Sequence, residues 1–237
     1  MRPDGNGDGN GNGDGDGVRL SGIEGFLFDM DGTILTSIPP VVRAWTAWAE
    51  RIGADADAVM GFMHGRRAVD TIERFSPAGT DIAAEVRWLD AREHADLDGV
   101  AEIAGAGDFL RALPPDRWGI VTSANRALAL ARIGAAGLPL PRLLVSSDDV
   151  TAGKPDPQGY RMAAARLGVD PAACVVFEDV TAGIIAGAAA GARVIRIAGE
   201  HGEDSALAVA AIDGYGQATL LAEGGAWALH LSGAGRG

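Results

Sequence analysis

Two aspartates one residue apart, Asp29 and Asp31, followed by Gly32-Thr33, close a short apolar run that begins at Ile23. A carboxylate beside glycine often does no more than make a turn. At the end of a buried strand the pair can do more: one carboxylate can attack phosphorus while the other, kept protonated by its neighbours, gives a proton to the leaving oxygen. An anionic nucleophile approaching an anionic phosphate needs a cation, and Glu178-Asp179, which closes another apolar run, adds oxygen ligands of the kind that suit Mg²⁺. Thr122 and Ser123 follow a third such run, where a hydroxyl and backbone N–H groups at a helix start can bind phosphate oxygens or simply cap the helix. Lys154, in Gly153-Lys154-Pro155-Asp156-Pro157, is the one lysine beside 19 arginines. Its compact ammonium can neutralise a phosphate and bridge to the nucleophilic carboxylate, which a planar guanidinium does poorly; a solvated loop lysine fits badly with a chain that otherwise uses arginine throughout.

These residues need a frame that brings distant segments together. Apolar runs at 23–28, 118–121, 142–145, 174–177 and 193–197 read as buried strands, and alanine-rich stretches at 125–135, 156–167 and 181–190 read as helices between them. Strands alternating with helices predict an α/β fold with a mainly parallel sheet, and in such sheets ligands bind beyond the carboxyl ends of the strands, where the polar clusters fall. Residues 37–104 lack that alternation. Pro39 and Pro40 suit a first helical turn, Val41, Val42, Trp45, Trp48 and Ile52 recur at helical spacing, and Gly53 is a stop. Further helices are expected at 55–63, 66–75 and 81–95, forming an inserted helical cap whose tryptophans pack it rather than stack on a ligand.

The ordered conjunction FDMDGT, GIVTSAN, GKPDP and VVFEDVTAG resembles the haloacid dehalogenase superfamily of phosphotransferases, over essentially residues 22–199. The resemblance implies a doubly wound, Rossmann-like core with a mobile helical cap inserted after the first strand. It implies Asp29 as nucleophile, Asp31 as general acid and base, and Thr122, with Ser123 and Lys154, as phosphate binders. Mg²⁺ would be held by Asp29, Asp179 and the Asp31 carbonyl, with Glu178 assisting. Family dehalogenases lack the second aspartate, phosphonatases use a cap lysine that is absent here, and phosphomutases resembling β-phosphoglucomutase carry a cap histidine where Val41 stands. A phosphatase is therefore expected, with a phosphomutase and a non-catalytic acidic metal-binding protein as the alternatives. The cap segments 38–45 and 64–75 resemble those of glycerol-phosphate and 2-deoxyglucose-6-phosphate phosphatases, which points His64, Arg66 and Arg67 at the substrate; a helix start with solvated arginines is the other reading. Thr36 departs from the family's usual Asp, at a hinge or outer-shell position. The implied activity is Mg²⁺-dependent hydrolysis of a small phosphorylated sugar or polyol through an aspartyl-phosphate.

Composition limits the partners. Acidic residues outnumber basic ones 32 to 20, a formal charge of −12 that repels nucleic acid and anionic membranes, so neither is expected as a partner and a phosphate-bearing substrate needs a locally positive pocket. With 237 residues and 47% hydrophobic content the chain can fill a sizeable core, and no apolar run reaches membrane-spanning length. A soluble, unexported, cytoplasmic monomer is the expectation. Cys174 alone excludes an internal disulfide and a Cys-based zinc cluster, and its apolar surroundings make it a packed side chain. His94, His201 and His230 show no ligand spacing. From Asp4 to Gly17 every second residue is glycine and the rest are aspartate or asparagine, a composition that predicts a flexible acidic tail. Its opening matches an EF-hand loop, but Gly15 stands where the bidentate glutamate belongs. The expected division is a tail at 1–17, a core at 18–36 and 105–237 and a cap at 37–104, with a last strand at 227–231.

Overall fold

The computed structural model describes residues 17–198 and 206–234. The tail residues 1–16, the calcium-like pattern within them and His201 lie outside the described residues; Gly17, read above as the last tail residue, instead opens strand β1 (Gly17–Ile23).

The centre is a six-stranded parallel sheet made of β2 (Gly25–Phe28), β5 (Trp118–Val121), β6 (Leu143–Val145), β7 (Cys174–Glu178), β8 (Arg193–Ile197) and β9 (Ala208–Ile212), in the order β6-β5-β2-β7-β8-β9. The runs are apolar on both faces because both faces are covered. Phe26, Phe28, Trp118, Ile120, Val175 and Phe177 point to one side, against α5 (Ala106–Ala112) and α6 (Arg126–Ala135). Leu27, Val121, Cys174 and Val176 point to the other, against α7 (Gln158–Leu167) and α8 (Thr181–Ala190). Phe28 stacks on Phe177 across the pairing of β2 with β7, ring centroids 4.7 Å apart. The chain steps outward from β2 to β5 and β6, then returns to the other side of β2 for β7, so the strand order reverses at the end of β2. That reversal opens a crevice there.

Between β3 (Leu35–Thr36) and β4 (Ala101–Glu102) lie α1 (Ile38–Ile52), α2 (Ala56–Met63), α3 (Ala68–Phe75) and α4 (Ile82–Ala95). The four helices share an apolar core of their own, with Trp48, Val59, Ile72 and Leu89 fully buried. Prolines fill the first turn of α1, and Gly53 ends it at φ 72°, a left-handed value that suits glycine. Buried Glu85 accepts from Trp48 Nε1 at 3.2 Å and from Arg51. β3 and β4 pair antiparallel, Thr36 opposite Ala101, so the entry to and exit from the helical block run side by side.

The last strand expected at 227–231 is present and belongs to a third layer. The strand near Trp227 is β11 (Ala226–Ser232), which does not extend the parallel sheet but lies antiparallel between β1 and β10 (Ala218–Glu223) in a separate three-stranded sheet. Its inward residues, Leu229 and Leu231, cover the same face of the central sheet as α5 and α6. Helix α3 begins at Ala68 rather than Arg66, with Arg67 as its N-cap, which leaves Arg66 in the preceding loop. No helix among the described residues is long and apolar enough to cross a membrane.

Candidate active site

Asp29 follows β2, Thr122 follows β5, and Glu178 and Asp179 close β7; these three strands are neighbours, so residues far apart in sequence meet at one sheet edge. Asp29 N donates to Phe177 O at 3.0 Å, which ties the end of β2 to β7. Lys154 arrives from the loop after β6 and is buried, with its ammonium hydrogen-bonded to Asp29 Oδ1 and, at 2.6 Å, to Glu178 Oε1. Tyr160 OH donates to the same Glu178 oxygen at 2.8 Å, while Glu178 Oε2 accepts from Asp179 N and Val180 N. Both oxygens of Glu178 are therefore saturated by the protein. Asp179 Oδ1 accepts from Thr33 Oγ1 at 2.9 Å. Gly32, at φ 87°, passes so close that a Cβ there would stand 1.9 Å from Asp179 Oδ2. Only glycine lets the loop cross that carboxylate.

The electrostatics follow from burial. Asp29, Glu178 and Asp179 present carboxylate oxygens within 4.8 Å of one another, with one ammonium among them. Burial pushes Asp29 well above the usual carboxylate range against the pull of Lys154, and Glu178 and Asp179 add to the rise. Burial and then Glu178 push Asp179 up to about 8. Burial works against the Lys154 ammonium, but Asp29 and Glu178 outweigh it and hold its pKa above the ordinary lysine range. A pocket this dry, all-oxygen and short of positive charge fits a hard divalent cation of the Mg²⁺ type.

A cavity of about 500 Å³ opens from this cluster and is roofed by the helical block. Asp29, Asp31, Thr122, Ser123 and Asp179 line its floor, and His64, Arg66 and Arg67 its wall, so the expected site residues face one space except Lys154 and Glu178, which stand behind Asp29. Trp45 also lines the cavity as well as packing the helical core, a double position that the helical spacing did not distinguish. Thr122 Oγ1 accepts from Ala124 N at 3.1 Å in the turn before α6, whose N-cap is Asn125, its side chain accepting from Leu128 N. Ser123 Oγ donates to Gly65 O at 2.8 Å, a bond from sheet edge to helical block. Gly65, at φ 71°, lies against Val180, where a Cβ would meet Val180 Cγ2 at 2.5 Å. The two arginines part company: Arg66 rests on the Phe62 ring, 4.4 Å from its centroid. Arg67 forks onto Asp70 and donates from Nη1 to Val150 O and Thr151 O, its stem packed over Gly153 next to Lys154.

Sequence reasoning did not single out Arg132 or Glu93. Arg132 Nη1 donates to Asp31 Oδ1 at 3.1 Å and Nη2 to Glu93 Oε1 at 3.0 Å, and Ser37 Oγ donates to the same Asp31 oxygen at 2.5 Å. The signal was in the helix register. Leu128, Ala129, Arg132 and Ile133 form the buried stripe of α6, and Glu85, Leu89 and Glu93 that of α4, so each charge stands where an apolar residue is the rule.

Residues 23–191 match the family model described as a haloacid dehalogenase-like hydrolase. The chain is 41% identical over 178 residues to hexitol phosphatase A of Escherichia coli, covering 73% of this chain and 82% of that protein. It is 33% identical over 190 residues to glycerol-1-phosphate phosphohydrolase 2 of Saccharomyces cerevisiae, covering 74% and 75%. Among solved structures, CbbY from Rhodobacter sphaeroides in complex with phosphate superposes with a TM-score of 0.71 at 25% identity, covering 81% of this chain and 95% of that one.

Proposed function

We propose, from the premise that the chain belongs to the haloacid dehalogenase-like hydrolases and is a sugar phosphatase among them, that it hydrolyses a small sugar or polyol phosphate monoester through a phosphoryl group carried on Asp29. The observation that carries this reading is the Lys154 ammonium, buried behind Asp29 and shared between it and Glu178, while Asp29 itself lines the cavity. A carboxylate held in place by a point charge has one oxygen committed and the other open to the cavity, the posture of an in-line nucleophile.

Asp29 Oδ2 attacks phosphorus, and the bond to the leaving alkoxide breaks as Asp31 gives that oxygen a proton. Asp31, now a carboxylate, takes a proton from water, whose oxygen attacks the aspartyl-phosphate and returns Asp29 with release of inorganic phosphate. Thr122 and Ser123 receive the phosphate oxygens, and Lys154, behind Asp29, adds its charge to theirs and keeps Asp29 from swinging away. Asp29, Asp179 and the Asp31 carbonyl would hold Mg²⁺, which when bound offsets the negative charge shared by nucleophile and phosphate. Glu178, with both oxygens occupied, serves the centre by its charge and by anchoring Lys154. The helical block acts as the cap over 37–104. Val41, which lines the cavity wall, has no group that gives or takes a proton, so that position offers no acid or base for a phosphomutase's second transfer.

The test is phosphate release across sugar, polyol and nucleotide monophosphates with Mg²⁺, beside the Asp29→Asn protein. Sugar or polyol esters are expected to lead. The substitution, which puts an amide without nucleophilic oxygen in place of the carboxylate, is expected to lower turnover by at least about 10³-fold with unchanged thermal stability. Comparable turnover in Asp29→Asn overturns the mechanism. Label moving within the sugar phosphate, with no free phosphate, overturns hydrolysis in favour of a mutase.

A further inference from the structure

We propose that Arg132 is a positioning residue for Asp31, and that Glu93 on α4 keeps it in the productive arrangement, so that docking of the helical block leaves one oxygen of Asp31 free for the leaving group. The inference rests on the reading of Asp31 as the proton donor.

The guanidinium is buried on the inward stripe of α6 beside Ala129 and Ile133, both fully buried. A charge in such a place persists only when paired and hydrogen-bonded. Its two partners come from different layers: Asp31 from the loop after β2, Glu93 from α4 of the helical block. Nε has no partner among the described residues, so Nη1 and Nη2 are its only ties. On Asp31, Oδ1 takes both the Arg132 and the Ser37 hydrogen bonds, while Oδ2 has no partner among the described residues and the residue lines the cavity. A guanidinium beside a lone carboxylate prefers to fork across both oxygens. Glu93, by holding Nη2, limits Arg132 to a single bond with Asp31. If α4 moves away, Arg132 can close on both oxygens of Asp31 and withhold the proton donor; when α4 docks, Oδ2 is released at the moment the cavity is sealed. The arrangement makes proton donation conditional on closure, because a forked Asp31 accepts at both oxygens and only a freed Oδ2 can hold the proton that is given.

Leaving groups that differ in their need for a proton read this directly. With the full-length protein and Mg²⁺, kcat/KM is measured for a series of substituted phenyl phosphates of similar size, since this constant ends at departure of the phenol. Nitrophenolate leaves unaided; an alkyl-substituted phenolate needs the proton. Glu93→Ala and Arg132→Lys are expected to lose about tenfold on the most basic leaving group and less than twofold on p-nitrophenyl phosphate, which steepens the dependence on leaving-group pKa. Glu93→Gln, which keeps an acceptor for Nη2, is expected within threefold of the parent throughout. In an Asp31→Asn background, Arg132→Lys should steepen the dependence no further. A parallel fall across the series overturns the proposal and makes Arg132 a substrate binder or a structural ion pair, as does further steepening in the Asp31→Asn background. If Arg132→Lys fails to fold, Glu93→Ala reads the same slope with the guanidinium in place. Absence of phosphate release by the parent protein from sugar and polyol phosphates as well as from the phenyl phosphates defeats the phosphatase reading itself, and this inference with it.

Discussion

The floor and the roof of the cavity are built by opposite means. On the floor, Lys154, Glu178, Tyr160, Asp179 and Thr33 are interlocked by short hydrogen bonds within a dry pocket whose strands pair along their length. The roof has a separate apolar core and touches the floor through polar ties: Ser123 to Gly65, Arg67 to the carbonyls of Val150 and Thr151, and Arg132 to Glu93. Hydrogen bonds of this kind contribute about 0.5–1.5 kcal/mol each, up to about 3 when charged, whereas an apolar seam would bury the roof against the floor for good. The contrast teaches where each property resides. On the proposed reading, chemistry is held by the interlocked floor, and choice of leaving group is assigned to a layer joined to it by fewer ties.

The hardest blow to the floor is at Lys154. Lys154→Arg should lower kcat by roughly 10²-fold although the charge is kept, because a planar fork cannot occupy the point where Nζ meets Asp29 and Glu178. Steady-state kinetics at saturating Mg²⁺ measure it, and parent-like turnover would show the floor to be far more forgiving than its packing implies. A smaller effect concerns charge. Asp179, raised from 3.8 to about 8, binds a proton in the folded protein that the unfolded chain has already lost. Stability without metal therefore falls as pH rises between about 4 and 8 and levels off above that. Mg²⁺ at ten times its dissociation constant adds about 1.4 kcal/mol, and proton competition weakens its hold on the acid side. Thermal denaturation should show a larger Mg²⁺ shift at pH 8.5 than at pH 5.5; the reverse order would place the cation away from Asp179.

The roof should yield the smallest losses and the most selective ones. Arg66→Ala is expected to cost about fivefold in kcat/KM on a preferred sugar or polyol phosphate and under twofold on p-nitrophenyl phosphate, since its stacking on Phe62 shapes the wall rather than the floor. Arg67→Ala should instead lower both alike, because Arg67 holds the loop that carries Lys154. Identical profiles for the two variants would erase the division drawn between roof and floor.

Much of the floor was legible in the sequence. Strands buried on both faces are continuous apolar runs, and their polar endings mark the sheet's carboxyl edge, so Asp29, Thr122 and Asp179 could be placed together from the order of residues alone. β1, β10 and β11 were not legible as a sheet, because alternation at 226–232 reveals a half-covered strand but not its partners. Arg132 was hidden by its surroundings: among 19 arginines, one on an alanine-rich helix reads as solvent-facing until the stripe of Leu128, Ala129 and Ile133 is drawn through it. Arg67 shows a related limit. Sequence put it at the cavity, which it does line, but could not show that its donors are spent on Asp70 and two carbonyls.

The solitary lysine has a consequence for chemistry done to the protein rather than by it. The chain carries a single side-chain primary amine, and it is 6% exposed behind the carboxylates it binds. Acylating reagents, which need a neutral and reachable amine, would find Lys154 shielded and held protonated by Asp29 and Glu178. The rate at which that one nitrogen becomes labelled is therefore a clock for the breathing of the floor, legible by mass spectrometry with no competing side-chain amine to blur the count.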